Sequence, residues 1–116
     1  MLLATEHPEM RWALRTALSQ EQGLTVVGEV SSVRSLLKLS RAVEPDVILV
    51  EWELPGHPVE ALLPALHVQG HGARLVVIAQ EPQAREAALA AGADAFLSKA
   101  DPPSQFLEEL RALLRR

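Results

Sequence analysis

The fold is decided by the stretch Pro45-Asp46-Val47-Ile48-Leu49-Val50-Glu51-Trp52-Glu53-Leu54-Pro55-Gly56. Residues 47–50 form a continuous run of valine, isoleucine and leucine, which is typical of a strand buried on both faces of a parallel sheet. The run ends at an acidic residue, and a Pro-Gly pair soon afterwards indicates a turn. We therefore predict a central strand that carries the carboxylate of Glu51 at its carboxyl end.

Four other apolar runs also have the character of strands. They cover residues 1–4, 24–30, 75–79 and 95–97. The run at 75–79 is continuously apolar and should be central, whereas the run at 24–30 is mixed in polarity and should lie at an edge of the sheet.

Segments with helical periodicity separate these runs. Pro8 stands at a favoured early position of the first helix, and Ser31 or Ser32 can cap the second. In the third helix the apolar positions 59, 62, 63 and 66 follow the amphipathic pattern, and we expect Pro64 to disturb it. Residues 84–91 form a fourth helix stopped by Gly92, and the pair at 101–102 starts a fifth.

Five strands that alternate with five helices predict one α/β domain over residues 1–116, with a parallel sheet covered by helices on both faces. Right-handed crossovers and the edge position of the second strand favour the strand order 2-1-3-4-5, a doubly wound, flavodoxin-like (βα)5 fold. Ligands of such sheets bind between strands 1 and 3, where the strand order reverses. Because Thr5, Glu6 and Glu51 leave those strands, we expect the carboxylates of Glu6 and Glu51 to lie near each other.

The composition argues against several classes of function. The net charge of −4 is unlike that of a nucleic-acid-binding protein, so we expect no direct nucleic-acid contact. The chain has no cysteine, which excludes disulfides, thiol catalysis and thiolate metal sites and fits a reducing cytoplasm. The apolar runs are too short to cross a bilayer and no signal peptide is visible, so we expect a cytoplasmic protein without membrane contact.

Three stretches, taken in order, resemble the receiver domain of bacterial two-component response regulators. They are LLATEHP at residues 2–8, PDVILVEWELPG at 45–56 and AGADAFLSK at 91–99, and the resemblance covers essentially the whole chain. It implies a non-enzymatic signalling module whose partner is a protein, either a histidine kinase or an output domain. Pairing with a second copy is a further option that the resemblance implies.

The resemblance also identifies the site, and the acids of this site are altered. Receivers carry two adjacent acids after strand 1 that hold Mg²⁺, and here those positions are Thr5 and Glu6. The phosphoacceptor of the family is an aspartate after strand 3, and here it is Glu51. We expect a low Mg²⁺ affinity from Glu6, Glu51 and Glu53, because Mg²⁺ demands near-octahedral oxygen geometry and one acid of the pair is lost. No other cofactor is implied.

Of the remaining site positions, one has lost the side chain typical of the family and one has kept it. Ala79 replaces the hydroxyl residue that ends strand 4 and contacts the phosphoryl group in the family. Lys99 keeps the lysine after strand 5, and Phe96 occupies the aromatic switch position before it. The usual coupling from phosphate through the hydroxyl to the aromatic ring is therefore cut.

These substitutions predict a receiver that works without phosphorylation. Glu51 extends its carboxylate by roughly 1.5 Å relative to aspartate, and a misplacement near 1 Å can cost on the order of a hundredfold in rate. We expect Lys99 to pair with Glu51, which then partly imitates a phosphorylated aspartate.

Three alternatives stay open. Lys99 and Glu51 can be a neutralising pair without a signalling role. The chain can still take a phosphoryl group weakly in a phosphorelay, on Glu51 or a neighbouring acid. Finally, a small α/β enzyme or ligand-binding protein would use the crevice of Glu6 and Glu51.

The histidines are less informative. His67 and His71 have the i, i+4 spacing of a helical metal site, but Val68 stands where metalloproteases have a glutamate, and Gly70 breaks the helix. We interpret both as surface residues. His7 should stand at the rim of the acidic site and His57 in the loop after it.

The tryptophans and one surface complete the candidates. Trp12 falls between the apolar positions of the first helix and should be partly exposed, either as a partner anchor or lying flat on its own domain. Trp52 should pack as core beneath the site. A face formed by helix 4, strand 5 and helix 5 is a candidate contact surface for partners, with Arg85, Glu86, Phe96, Glu108 and Arg111 on it.

Overall fold

The computed structural model describes residues 1–20, 25–56, 58–69, 72–99 and 103–115. Strands and helices alternate, as predicted, in the order β1 (Leu2–Ala4), α1 (Pro8–Leu18), β2 (Gly28–Val30), α2 (Val33–Val43), β3 (Val47–Glu51), α3 (Val59–Gln69), β4 (Arg74–Ala79), α4 (Ala84–Ala90), β5 (Ala95–Ser98) and α5 (Pro103–Leu114). None of the helices in these ranges is long and apolar enough to cross a membrane.

The strands form one parallel sheet in the order β2-β1-β3-β4-β5, which confirms the predicted topology. Ala4 is in register with Val50, and Ala79 is in register with Ser98. The carboxyl ends of β1, β3, β4 and β5 therefore meet at one edge of the sheet, and the residues that follow them share that edge.

The edge strand β2 is shorter than the predicted 24–30. It comprises Gly28–Val30, and Leu24 lies outside the described residues. Val27 still donates its backbone N–H to the Met1 carbonyl at 2.9 Å, but its side chain is exposed. The mixed polarity of this run thus predicted correctly that β2 lies at the edge of the sheet. The strand is shorter than predicted, because three of its residues pair with β1.

Each face of the sheet has its own core. On one face, Leu2, Ile48 and Val50 pack with side chains of α2, α3 and α4. On the other face, Leu3 and Leu49 pack with side chains of α1 and α5. All five residues of β3 are buried, as predicted for a central strand, so Glu51 is carried into the interior at the end of this strand.

Pro64 does not interrupt α3, and the predicted disturbance is wrong. The helix runs from Val59 to Gln69 with Pro64 inside it. Proline removes one backbone donor, but Leu62, Leu63 and Leu66 are buried on the sheet. Tertiary packing of this face therefore outweighs the local cost. The predicted start of α5 at 101–102 lies outside the described residues.

Of the two predicted capping serines, Ser32 is the one that caps α2. Its backbone is extended, and its hydroxyl accepts a hydrogen bond from the Ser35 N–H at 3.2 Å. The helix ends where Glu44 adopts a left-handed conformation (φ 45°) and donates its N–H to the Ser40 carbonyl.

We predict that Ser32→Ala lowers the free energy of unfolding by about 1 kcal/mol, because the first turn of α2 loses its side-chain acceptor. Ser31→Ala is the matched control, since Ser31 is exposed and the cap bond belongs to Ser32. Urea unfolding followed by circular dichroism measures both. Equal effects of the two substitutions would contradict the assignment of the cap.

Candidate functional site

The loop after β1 begins with a buried hydroxyl. Thr5 is 2% exposed and donates its backbone N–H to the Val30 carbonyl at 3.0 Å. Its Oγ1 accepts a hydrogen bond from the His7 backbone N–H at 3.1 Å. The side chain at the first acid position of the family is therefore used to shape its own loop.

The centre of the site is an ion pair between the ends of β3 and β5. Lys99 Nζ donates to Glu51 Oε2 at 2.5 Å, and the side chains are 12% and 2% exposed. The Lys99 backbone N–H also donates to the Ala79 carbonyl at 2.8 Å, which fixes the start of the lysine side chain at the end of β4. The predicted Lys99–Glu51 contact is present.

The pair satisfies only one of the two carboxylate oxygens. Glu51 Oε1 is buried and has no hydrogen-bond partner among the described residues. His7 brings its Nε2 to 3.8 Å from Glu51 Oε2, and its side chain is about half exposed. This position agrees with the prediction that His7 stands at the rim. Sequence patterns gave no signal for the unpaired oxygen, because it depends on how one buried side chain is turned.

Glu6 does not join Glu51. Its side chain is exposed, and no hydrogen bond or ion pair links it to any described residue. The residue of this loop that approaches Glu51 is His7 instead. Topology brings the two loops to one edge of the sheet, as expected, but the turn after Thr5 directs Glu6 towards solvent.

The residues expected at a magnesium site do not fit that ion. Glu6 and Glu53 are exposed, while Glu51 is already neutralised by Lys99. Within the described ranges, no group of three or more His, Asp or Glu side chains is arranged to hold a metal ion. Mg²⁺ needs several oxygens in near-octahedral geometry, and the buried carboxylate that the described residues place at this edge, Glu51, is already engaged by Lys99.

Ala79 and Phe96 lie inside the molecule on the same face of the sheet. Ala79 is 0% and Phe96 6% exposed, and both belong to the core formed with α2, α3 and α4. The prediction that Phe96 lies on the surface is wrong, because β5 turns this side chain to the same face as Val77, its partner in register on β4. Arg85, Glu86 and Glu108 are exposed as predicted, and Arg111 is partly buried.

His67 has a structural contact that the sequence did not reveal. Its Nε2 lies 2.6 Å from the Gly92 carbonyl oxygen, so α3 is tied to the turn before β5. Gly92 has φ 114°, and a Cβ there would lie 3.2 Å from the His67 ring. His71 and His57 lie outside the described residues.

The tryptophans are placed as predicted. Trp12 is 67% exposed on α1. Trp52 is partly buried and packs against the core that contains Ala79 and Phe96. Among the Trp and Phe side chains of the described residues, Trp12 is therefore the exposed one.

Comparison with known proteins places the chain in one family. Residues 1–111 match the model described as response regulator receiver domain. Nitrate/nitrite response regulator protein NarL of Escherichia coli (strain K12) is 30% identical over 112 residues, which are 95% of this chain and 52% of that protein. NarP of the same strain is 30% identical over 114 residues, 97% of this chain and 53% of that protein.

A solved structure agrees with these relatives. The signal receiver domain of the response regulator NarL from Mycobacterium tuberculosis superposes with a TM-score of 0.84 at 27% identity, covering 98% of this chain and 94% of that one. The chain spans about half the length of the curated relatives it matches.

We predict that Lys99→Met lowers the free energy of unfolding by about 3–5 kcal/mol, because it leaves the Glu51 carboxylate buried without a cation. Adding Glu51→Gln to that variant should recover most of the loss, since the unpaired charge is then removed. Chemical unfolding of the two single variants and the double variant gives the coupling between the two residues.

Lys38→Met is the matched control for this substitution. Lys38 is exposed on α2, so its loss should change the free energy of unfolding by less than about 0.5 kcal/mol. A Lys99→Met variant that is as stable as Lys38→Met would show that the buried pair contributes no coupling.

Proposed function

The chain belongs to the response regulator receiver domain family, and we propose that it is an atypical member that signals without being phosphorylated. Receiver domains are signalling modules of two-component systems that interact with histidine kinases and output domains. We propose that residues 1–116 form one such domain, that it has no catalytic activity of its own, and that it acts through contacts with other proteins.

The observation that carries the proposal is the direct contact between Lys99 and Glu51. In the family the corresponding lysine faces a shorter acid. Here the longer side chain of Glu51 brings an anionic oxygen to 2.5 Å from Lys99 Nζ in the unmodified protein. A negative oxygen against this lysine is what phosphorylation of an aspartate would otherwise supply, so Glu51 supports a state that needs no phosphoryl group.

Phosphoryl transfer to this position also lacks its usual electrostatic support. The reaction depends on positioning and on cations that neutralise the transferring group. Glu51 is 2% exposed and already paired with Lys99. The Thr5 hydroxyl accepts a hydrogen bond from the His7 backbone N–H within its own loop. The residues at this edge therefore do little to bind a phosphate donor or the metal that accompanies it.

The interior behind the site supports a single fixed arrangement. Ala79 has no hydroxyl that could follow a phosphoryl group, and its small side chain occupies the same core as Phe96. The Phe96 ring is already buried there, so its position does not depend on chemistry at Glu51. The aromatic ring would then keep one buried position in this chain whether or not the site is modified.

One observation favours a second candidate, a receiver that is still weakly phosphorylated. Glu51 Oε1 has no hydrogen-bond partner among the described residues, so this oxygen is not committed to a contact within the chain. Glu53 is a neighbouring acid that is exposed. Either residue could accept a phosphoryl group if a donor reached it.

We predict that fluoroberyllate or acetyl phosphate, added with Mg²⁺, produces no saturable shifts in the amide NMR spectrum around Glu51. The physical reason is that the site lacks the metal ligands and the hydroxyl that hold such groups. A saturable, Mg²⁺-dependent shift of the amides near residues 51 and 99 would overturn the proposal in favour of weak phosphorylation.

The matched control is a variant with the site rebuilt, Thr5→Asp/Glu51→Asp/Ala79→Thr. It restores an acid after β1, the shorter acid after β3 and the hydroxyl after β4, while Lys99 is unchanged. We expect saturable shifts in this variant under the same conditions, which shows that the reagents report on the site.

A further inference from the structure

The outer side of β2 is an open edge of the sheet. β2 stands at the end of the strand order and pairs with β1 on one side, and none of the described strands pairs with its other side. The residues before β2 also follow β1, because the Met1 amino group donates to the Thr25 carbonyl at 2.8 Å and Val27 donates its N–H to the Met1 carbonyl. Residues 25–30 therefore form an edge of about 20 Å, at roughly 3.3 Å per residue.

The backbone of Glu29 faces this open side. The Val30 carbonyl accepts a hydrogen bond from the Thr5 N–H at 3.0 Å, so Val30 directs its backbone groups towards β1. Alternate residues of a strand direct these groups to opposite sides, and the N–H and C=O of Glu29 therefore point away from β1. An edge strand with such groups is a template on which another extended chain can pair.

Two large apolar side chains are exposed beside this edge. Val27 belongs to the edge itself and is 47% exposed, and Trp12 of α1 is 67% exposed. Trp12 lines a cleft between α1 and β2 together with Pro8, Arg11, Arg15 and Glu29. Extended peptides that add to a sheet edge gain affinity from main-chain hydrogen bonds and specificity from pockets for alternate side chains. The cleft beside Trp12 is such a pocket.

The helices on the two faces of β2 carry an excess of cations. Residues 8–20 and 25–43 include five basic residues against two acidic ones, although the whole chain has a net charge of −4; they are Arg11, Arg15, Arg34, Lys38 and Arg41 against Glu9 and Glu29. On one face Arg15 forms an ion pair with Glu29. On the other face Leu39 of α2 packs on Gly28, and its neighbour Lys38 is exposed. The charge around the edge therefore favours an acidic partner.

We propose that this edge binds an extended, acidic segment of a partner protein, which adds to the sheet as a sixth strand outside β2. The backbone of the segment pairs with the outward N–H and C=O of Glu29, and one of its apolar side chains packs on Trp12. Its carboxylates lie near the basic residues of α1 and α2. Since β1 separates this edge from β3, the inference goes beyond the proposed function and does not depend on whether Glu51 is phosphorylated.

The first test follows the amide NMR spectrum of the 116-residue chain during titration with a synthetic hexapeptide in which valine alternates with aspartate or glutamate. We expect saturable shifts centred on residues 25–30, with a dissociation constant between about 10 µM and 1 mM. The matched control peptide carries lysine in place of each acidic residue and should bind at least about tenfold more weakly. No shifts at the edge, or equal binding of the two peptides, overturns the proposal.

The second test removes the backbone donor on which the pairing depends. Glu29→Pro deletes the outward N–H and leaves Gly28 and Val30 to pair with β1, since proline is tolerated in an edge strand whose N–H faces solvent. We expect this variant to bind the acidic peptide at least about tenfold more weakly. Glu29→Ala is the matched control, because it loses the same carboxylate and the ion pair with Arg15 but keeps the N–H. Equal binding by the two variants would show that the peptide does not pair with the strand.

Hydrogen exchange of the wild-type chain tests the pairing without a substitution. The Glu29 amide should exchange rapidly in the free chain and at least about tenfold more slowly at saturating acidic peptide. The Val30 amide faces β1 and should be slow in both states, which makes it the internal control. A Glu29 amide that is unaffected by bound peptide contradicts the proposal. Protection that appears in the chain alone as its concentration rises would assign the edge to a second copy and would also overturn the proposal.

Discussion

The buried ion pair of Glu51 and Lys99 is the constraint on which the rest of the functional edge depends. Moving a charge from water into a protein interior costs several kcal/mol per ion, and the loss is offset only when the partner is close and well oriented. Glu51 is carried inside because every residue of β3 is buried. The chain must therefore bring a cation to the end of β3, and it does so from the end of β5.

This requirement explains the local geometry on either side of the pair. The backbone of Lys99 is held by the Ala79 carbonyl, so the lysine leaves the sheet beside β4 and crosses to Glu51. Glu51 is longer than aspartate by one methylene, and its carboxylate meets the ammonium group directly. An internal cation thus neutralises the acid at the end of β3, and His7 lies beside the pair at the rim.

Sequence patterns predicted the fold and the family resemblance predicted the pair, but neither predicted the details that long-range register decides. The continuous apolar runs and their alternation with helices were sufficient for the strand order, and that order placed Glu51 at the edge reached by Lys99. Phe96 was misplaced because its face depends on the pairing of β5 with β4, which local sequence does not encode. The predicted disturbance of α3 at Pro64 does not occur for a similar reason, since packing on the sheet outweighs a local helix preference. The contact of His67 with Gly92 joins residues 25 positions apart and has no local pattern.

Lys99 lines the α1–α5 side of the sheet, and this determines where a change at Glu51 can be felt. Its ammonium group binds Glu51, while its side chain lines the groove between α1 and α5. Phe96 lies on the opposite face, in the core shared with Ala79, which has no hydroxyl to relay a change. Coupling between two sites requires an element whose position both sites influence. The Lys99 side chain is such an element between Glu51 and the α1–α5 groove, but it does not connect Glu51 with Phe96. We therefore expect a change at Glu51 to reach the surface of this receiver through α1 and α5, and not through the aromatic switch position Phe96.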